Sequence, residues 1–467
     1  MVLSLRTWPR RLIARPWLLG FVPINAATSG FGVVLPLLIL IVLHGTWTDV
    51  AVAATLFNAA VILSSVAWGH LSDRYPLRRL FLVINFGGYA LLYLTLGEVH
   101  SLLSLYVIYT VIGLIAPAGA SASNLLILEK FTEAERANAY ASFQEMSIIG
   151  SVLGLVIGYF WTLANDALLS LLFVLAVLAA LSAVAIWFGV QDPTRSLTTA
   201  QVAKHPESLL SRLRISTSFH IAIPFFPRRP NLRSGSLARL RKWAREELHH
   251  ELPLVFAASF LFNLSSNLFN ISYTPYLVSV GLAASAIFLV NFSNNFVQML
   301  VFPLSGGMVA RFGSDRLVQR ATYVRSLGYL ATAGFTFFIV VRGGAFTENL
   351  IIFGVLGGAI AIYSTASSLM LFRGLAGRDA GSLLGVNSAL GGVAAVAGAG
   401  LAAVLAAFGS YRLVFLVSAG ALLASLPIWS AASVAYVRRK YGRESSPPPP
   451  PSEPHRVVDA VAAAKTH

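Results

Sequence analysis

The sequence predicts an all-α integral membrane protein, with twelve transmembrane helices in two pseudo-symmetric six-helix bundles. Three observations predict it. Only 11% of the 467 residues are charged and 56% are hydrophobic, whereas a soluble domain carries about 25% charged residues. Twelve apolar runs are each close to the ~20 helical residues that cross the hydrocarbon of a bilayer. A charged loop, Gly69–Arg79, returns half a chain later as Gly306–Arg316, again between two apolar runs.

In chain order the runs are roughly 17–43, 48–69, 80–97, 102–127, 137–163 and 167–190, then 252–280, 283–305, 318–342, 349–372, 381–408 and 411–436. Backbone groups in lipid must bond internally, so the runs are helices. They are too long for barrel strands and lack period-two alternation. Met1–Arg15 is basic and precedes the first run, as in a signal peptide. That run is far longer than the roughly 7–15 apolar residues of a signal sequence, so it is read as a retained first helix.

The formal charge is +15. In a soluble protein this would point to nucleic acid, but here its placement points to topology. With the N-terminus in the cytoplasm, all of the 34 Lys and Arg except Arg342 and Arg412 fall on the inner side. The positive-inside rule then places both termini in the cytoplasm of a multi-pass plasma-membrane protein. No nucleic-acid partner is expected.

Four segments follow: a first bundle at 1–190, a basic linker at 191–251, a second bundle at 252–436 and a tail at 437–467. Within the linker, Ser236–Leu252 places Leu237, Leu240, Trp243 and Leu248 near one helical face, which suits either an amphipathic surface helix or a solvated linker. The tail contains the proline run Pro447–Pro451, which reads as disordered or polyproline.

Six helices, a basic linker and six more, with the repeated loop, resemble the major facilitator superfamily. That family's loop reads G-x-L-x-D-R-x-G-R-R/K. Gly69, Leu71, Asp73, Arg74 and Arg78 match it, and Pro76 replaces the second glycine. In the second copy Gly306, Arg311 and Gly313 match, and Ala310 replaces the aspartate. The segment Glu129–Gly158 is most similar to the drug:proton antiporter branch, whose fifth helix carries G-x-x-x-G-P-x-x-G. Gly150, Gly154 and Gly158 match, and Leu155 replaces the proline. The arginine that this branch carries on its fourth helix is here Tyr109.

The resemblance implies alternating access around a central solute site. It implies that Asp73 meets the start of the eleventh helix near Gly381 when the inner side is closed, and it makes Glu129 a partner for Arg78. It also implies that helices three, six, nine and twelve pack outside the eight that line the cavity. Gly150, Gly154 and Gly158 form a ridge that lets helices approach closely.

Polar residues within the runs mark candidate solute contacts. Helix seven has Asn263, Asn267 and Asn270 on one face, and helix eight has Asn291, Asn294, Asn295 and Gln298. Asn25, Asn58, Gln144 and Asn387 add to them from helices one, two, five and eleven, while the four outer helices contribute only Asn85. The other reading of each is an interhelical hydrogen bond. Tyr273, Tyr276, Trp161, Phe269 and Phe296 are candidate aromatic walls. Glu145 is the acid well inside a run, and therefore the candidate proton carrier, although a gate or surface role is also open. Arg325 reads as a snorkelling or structural residue.

No cysteine is present, and there is no P-loop, metal-ligand spacing or G-x-S-x-G elbow. No cofactor and no metal are expected, and the chain is not read as an enzyme. The expected function is secondary transport of a small organic solute by a monomer, as proton-coupled efflux. Uptake or facilitated passage of a neutral polar solute is the alternative, and a transporter-like solute sensor is the alternative of another class.

Overall fold

A computed structural model describes residues 16–75, 77–130, 133–164, 167–192, 251–338, 345–375 and 380–444. Its twelve long helices are α1 Phe21–Leu37, α2 Trp47–Arg74, α3 Arg78–Gly97, α4 Leu102–Lys130, α5 Glu133–Ala164 and α6 Leu168–Gly189, then α7 Glu251–Ser279, α8 Ala284–Phe312, α9 Ser314–Phe338, α10 Ala345–Leu375, α11 Ala380–Ala407 and α12 Tyr411–Glu444. No strand occurs among the described residues. The amphipathic stretch and the proline run lie outside them, as does most of the linker.

Local chemistry sets the ends. Thr46 and Asp49 form a capping box at the start of α2, with the Asp49 carboxylate accepting the Thr46 amide at 2.7 Å. Pro76 stops the same helix by forcing Tyr75 into an extended conformation. Gly313 breaks α8 from α9 at φ +83°, a conformation that L side chains avoid. The loop expected at 69–79 is therefore mostly helix, because its charged residues extend α2 into the interfacial region; among its described residues only Tyr75 and Leu77 are not helical. Gly306–Phe312 is likewise the last part of α8.

Eleven of the described helices are long and apolar enough to cross a membrane. The exception is α9, which carries Arg316, Arg320 and Arg325. The ninth apolar run read from the sequence thus falls short on composition, although it is a helix packed like the others.

Within the first bundle α1 packs on α5 and α6, α2 on α4, and α3 on α4 and α6. The second bundle repeats these pairings, with α7 on α11 and α12, α8 on α10, and α9 on α10 and α12. The repeat extends to atoms. A Cβ at Gly150 would meet Asn25 Cβ at 2.9 Å beside the Val22 carbonyl, and one at Gly398 would meet Asn267 Cβ at 3.0 Å beside the Leu264 carbonyl. The bundles meet through α2 on α11 and α5 on α8, two contacts that the pseudo-symmetry exchanges.

Candidate functional site

The space between the bundles is defined by helix phase, with each residue turning ~100°. On α8, Phe288 faces Gly158 of α5. The Asn294 amide donates to the Phe353 carbonyl of α10 at 2.8 Å, and Phe296 and Leu300 are exposed on the lipid side. Asn291 and Asn295 fall on the remaining, inward arc. On α7, Asn267 packs against Gly398 of α11, and the Tyr273 hydroxyl donates to Asn349 of α10 at 3.0 Å. Asn263 and the exposed Asn270 occupy the arc between those neighbours.

The first bundle faces them in the same way. On α2, Asn58 lies one turn before Ile62, which touches Gly392 of α11, and away from the exposed Leu56 and Leu63. On α1, Asn25 shares a face with Gly32, where a Cβ would meet no described atom within 4 Å. Gln144 and Asn387 are half-buried, with no hydrogen bond among the described residues.

The amides are held ready. Asn25, Asn58, Asn267, Asn291 and Asn295 each donate one N–H to the carbonyl a turn earlier, at 2.7, 2.8, 2.9, 2.9 and 3.2 Å. That bond fixes the rotamer and leaves the amide oxygen and a second N–H for a solute. Asn294 and Gln298 differ from these. Asn294 is tied to α10, and the Gln298 amide donates to Asn294 Oδ1 at 2.6 Å, so the pair joins α8 to its own bundle.

The aromatic walls do not form as expected. Phe269 is stacked on Tyr329 and Tyr273 on Phe353, fully buried inside the second bundle, because their α7 positions face α9 and α10. Trp161 donates to Ser170 Oγ at 3.0 Å, and Phe296 faces lipid.

The two faces of the molecule differ. On the face away from the basic loops the bundles touch: Trp47 of α2 stacks on Tyr411 of α12 at 4.2 Å, and Gly158 abuts the Phe288 ring. Near the basic face, Gly306 lies on the same side of α8 as Phe288, yet a Cβ there would meet no described atom within 4 Å. The α5–α8 seam is closed at the end away from the basic loops.

Among the expected gating residues, Arg78 is buried and donates to the Ser72 and Tyr75 carbonyls, closing the α2 C-terminus. The side chains of Asp73, Arg74 and Glu129 lie outside the described set, as do those near Gly381 at the start of α11. Arg311 lies over the Phe312 ring. Glu145 is half-buried one turn inside the apolar part of α5, which begins at Ser142, and has no partner among the described residues. Of the glycine ridge, Gly150 and Gly154 press on the α1 backbone, while Gly158 faces α8 of the other bundle.

Sequence reasoning missed a clasp on the basic face. Arg373 of α10 bonds Asp315 of α9 at 2.8 and 2.9 Å and Glu251 of α7 at 3.0 Å, with its guanidinium 3.6 Å from the ring centroid of Tyr436 of α12. The hydrogen bonds from Arg373 hold the Asp315 carboxyl below its usual value despite burial. The repeat signalled this clasp: at the spacing of the two loops, Asp315 takes the place of Arg78 with the opposite charge.

A family model described as the Major Facilitator Superfamily matches residues 17–341. Comparison with curated proteins gives no match. Among solved structures, the chain is similar to the nucleoside transporter NupG, with a TM-score of 0.61 at 11% identity over 90% of this chain and 98% of that one. It is also similar to a POT family transporter in complex with a thioalcohol-conjugated peptide, with a TM-score of 0.65 at 13% identity over 91% and 96%. At these identities the likeness is one of fold.

Proposed function

The chain belongs to the Major Facilitator Superfamily, and from that premise we propose that it carries a small, uncharged, polar organic solute across the plasma membrane by alternating access. A secondary transporter of this family is a multi-pass membrane protein and not an enzyme. The observation that carries the solute class is the set of carboxamides Asn58, Asn263, Asn270, Asn291 and Asn295 on the inward arcs of α2, α7 and α8, with Asn25 of α1 beside them; Asn25, Asn58, Asn291 and Asn295 are preset by a hydrogen bond to their own helix. Amides exchange hydrogen bonds with hydroxyls, amides and ring nitrogens and carry no charge of their own. The inward position of the large aromatic rings of α7, within their own bundle, also favours a polar solute over a lipophilic one.

The protein acts as a monomer with both termini in the cytoplasm, and the closed end of the α5–α8 seam lies on the opposite face. Rocking of the bundles about the α2–α11 and α5–α8 contacts exposes the site to each side in turn. Asp73 and Arg74, at the end of α2, bias that motion at the basic face.

The test is solute uptake into proteoliposomes, using a panel of nucleosides, sugars, amino acids and lipophilic cations. A neutral polar solute is transported, and Asn291→Ala raises its KM by roughly tenfold, the loss of a hydrogen bond worth about 1.4 kcal/mol. Transport of lipophilic cations alone would overturn the reading. A second reading, proton-coupled export of an amphipathic compound, is favoured by one observation: Glu145 is half-buried in α5 without a partner among the described residues. An ionisable side chain within a membrane span marks a candidate relay position.

A further inference from the structure

Arg325 lies near the middle of α9 and is 3% exposed. Its Nε donates to the Tyr329 hydroxyl at 2.7 Å, and its guanidinium lies 5.3 Å from the ring centroids of Phe262 and Tyr329. No carboxylate pairs with it among the described residues. A guanidinium cannot shed its proton in a protein. An unpaired buried charge is strongly unfavourable, and the ring faces offset only part of that cost.

The first bundle shows that packing does not require this charge. There Phe31 stacks on Tyr93 at 4.5 Å, as Phe269 stacks on Tyr329 at 3.8 Å in the second bundle. One turn before Tyr93 stands Tyr89, which is neutral; one turn before Tyr329 stands Arg325.

The neighbours supply donors without a matching acceptor. Tyr363 stacks on Phe262 and meets Trp429 edge-on, and Trp429 is fully buried with an unpartnered indole N–H. Ser266 is buried beside the Tyr329 hydroxyl, and its own hydroxyl lacks a partner. An indole and a guanidinium can only donate.

We propose that Arg325 and Tyr329, flanked by Ser266, form a binding site for one small monovalent anion of chloride size inside the second bundle. Ser266 lies one turn before Asn270 on the same side of α7, so the anion enters from the central cavity through the α7 wall. The site is separate from the amide cluster, and its existence does not depend on the solute carried.

The test uses the purified full chain with chloride as the probe. In chloride the thermal midpoint rises saturably over that in gluconate at equal ionic strength and pH, by roughly 2–4 °C or more. Arg325→Gln and Arg325→Tyr, the latter restoring the residue of the first bundle, abolish the difference. Equilibrium dialysis of the unmutated protein with radiolabelled chloride finds one saturable site per chain. Equal midpoints in the two salts, a difference that survives in either variant, or no saturable binding would each overturn the proposal.

Discussion

Replacing Gly158 by alanine tests whether the α5–α8 seam is a moving contact. A Cβ at Gly158 would lie within 2.6 Å of three atoms of the Phe288 ring. Comfortable carbon contacts are about 3.5–4.0 Å, so the ring or the seam must yield by about 1 Å. Overpacking of this kind costs about 1–3 kcal/mol. The cost falls only on the state in which α5 and α8 touch at that end. The helix-propensity gain of alanine over glycine applies to both states and cancels. The ratio of the two states therefore shifts by roughly 5- to 150-fold toward the form open on the face away from the basic loops. The chain has no cysteine, so Asn270→Cys alone reports access to the cavity without background. An impermeant maleimide added from that face labels Asn270→Cys faster by the same factor when Gly158→Ala is present. An unchanged labelling rate would refute the assignment of this seam as the closed end.

Three further outcomes follow from the same geometry. Gly154→Ala drives its Cβ onto the Ala26 carbonyl oxygen, and to 2.6–2.7 Å from that residue's main-chain carbons, within one bundle; it lowers the thermal midpoint by roughly 2–10 °C without changing the Asn270→Cys labelling ratio. The depressed Asp315 carboxyl stabilises the fold above its ordinary value of 3.8, and that stability is lost as pH falls through the lower folded value. Asp315→Asn therefore shrinks the acid loss of stability below about pH 4, as read in pH-dependent melting, and costs about 1 kcal/mol at neutral pH because the pair is partly exposed. If export is proton-coupled, Glu145→Gln abolishes proton flux in pH-dye liposomes and leaves solute exchange intact; unaltered flux rules out that role.

Much of the fold was legible because bilayer thickness imposes a length on every apolar run and the repeat halves the problem. What was not legible follows from where helices end. The charged loop after the second run reads as a turn in sequence, yet Gly69–Arg74 is helix, since nothing stops an α-helix in the interfacial region until Pro76. Hydropathy also said little about α9, whose arginines spend their charge in unlike ways. Arg325 is buried against rings, and only the placement of α7, α10 and α12 around it reveals that no acid is near among the described residues.

The polar residues show the same limit at the site. Asn291 and Asn294 share one stripe on α8, three positions apart, and sequence cannot separate them. Their separation comes from the neighbour: α10 offers its Phe353 carbonyl to Asn294 and leaves Asn291 on the cavity side. The glycine ridge divides for the same reason. Gly150, Gly154 and Gly158 are equivalent in spacing, but α5 crosses from one partner to another along its length. Its first two glycines lock α5 to α1 within one bundle, and the third lets α5 meet α8 across the seam that opens in the proposed alternating access. One periodic pattern therefore encodes a fixed contact and a transient one, and the crossing helix decides which glycine serves which.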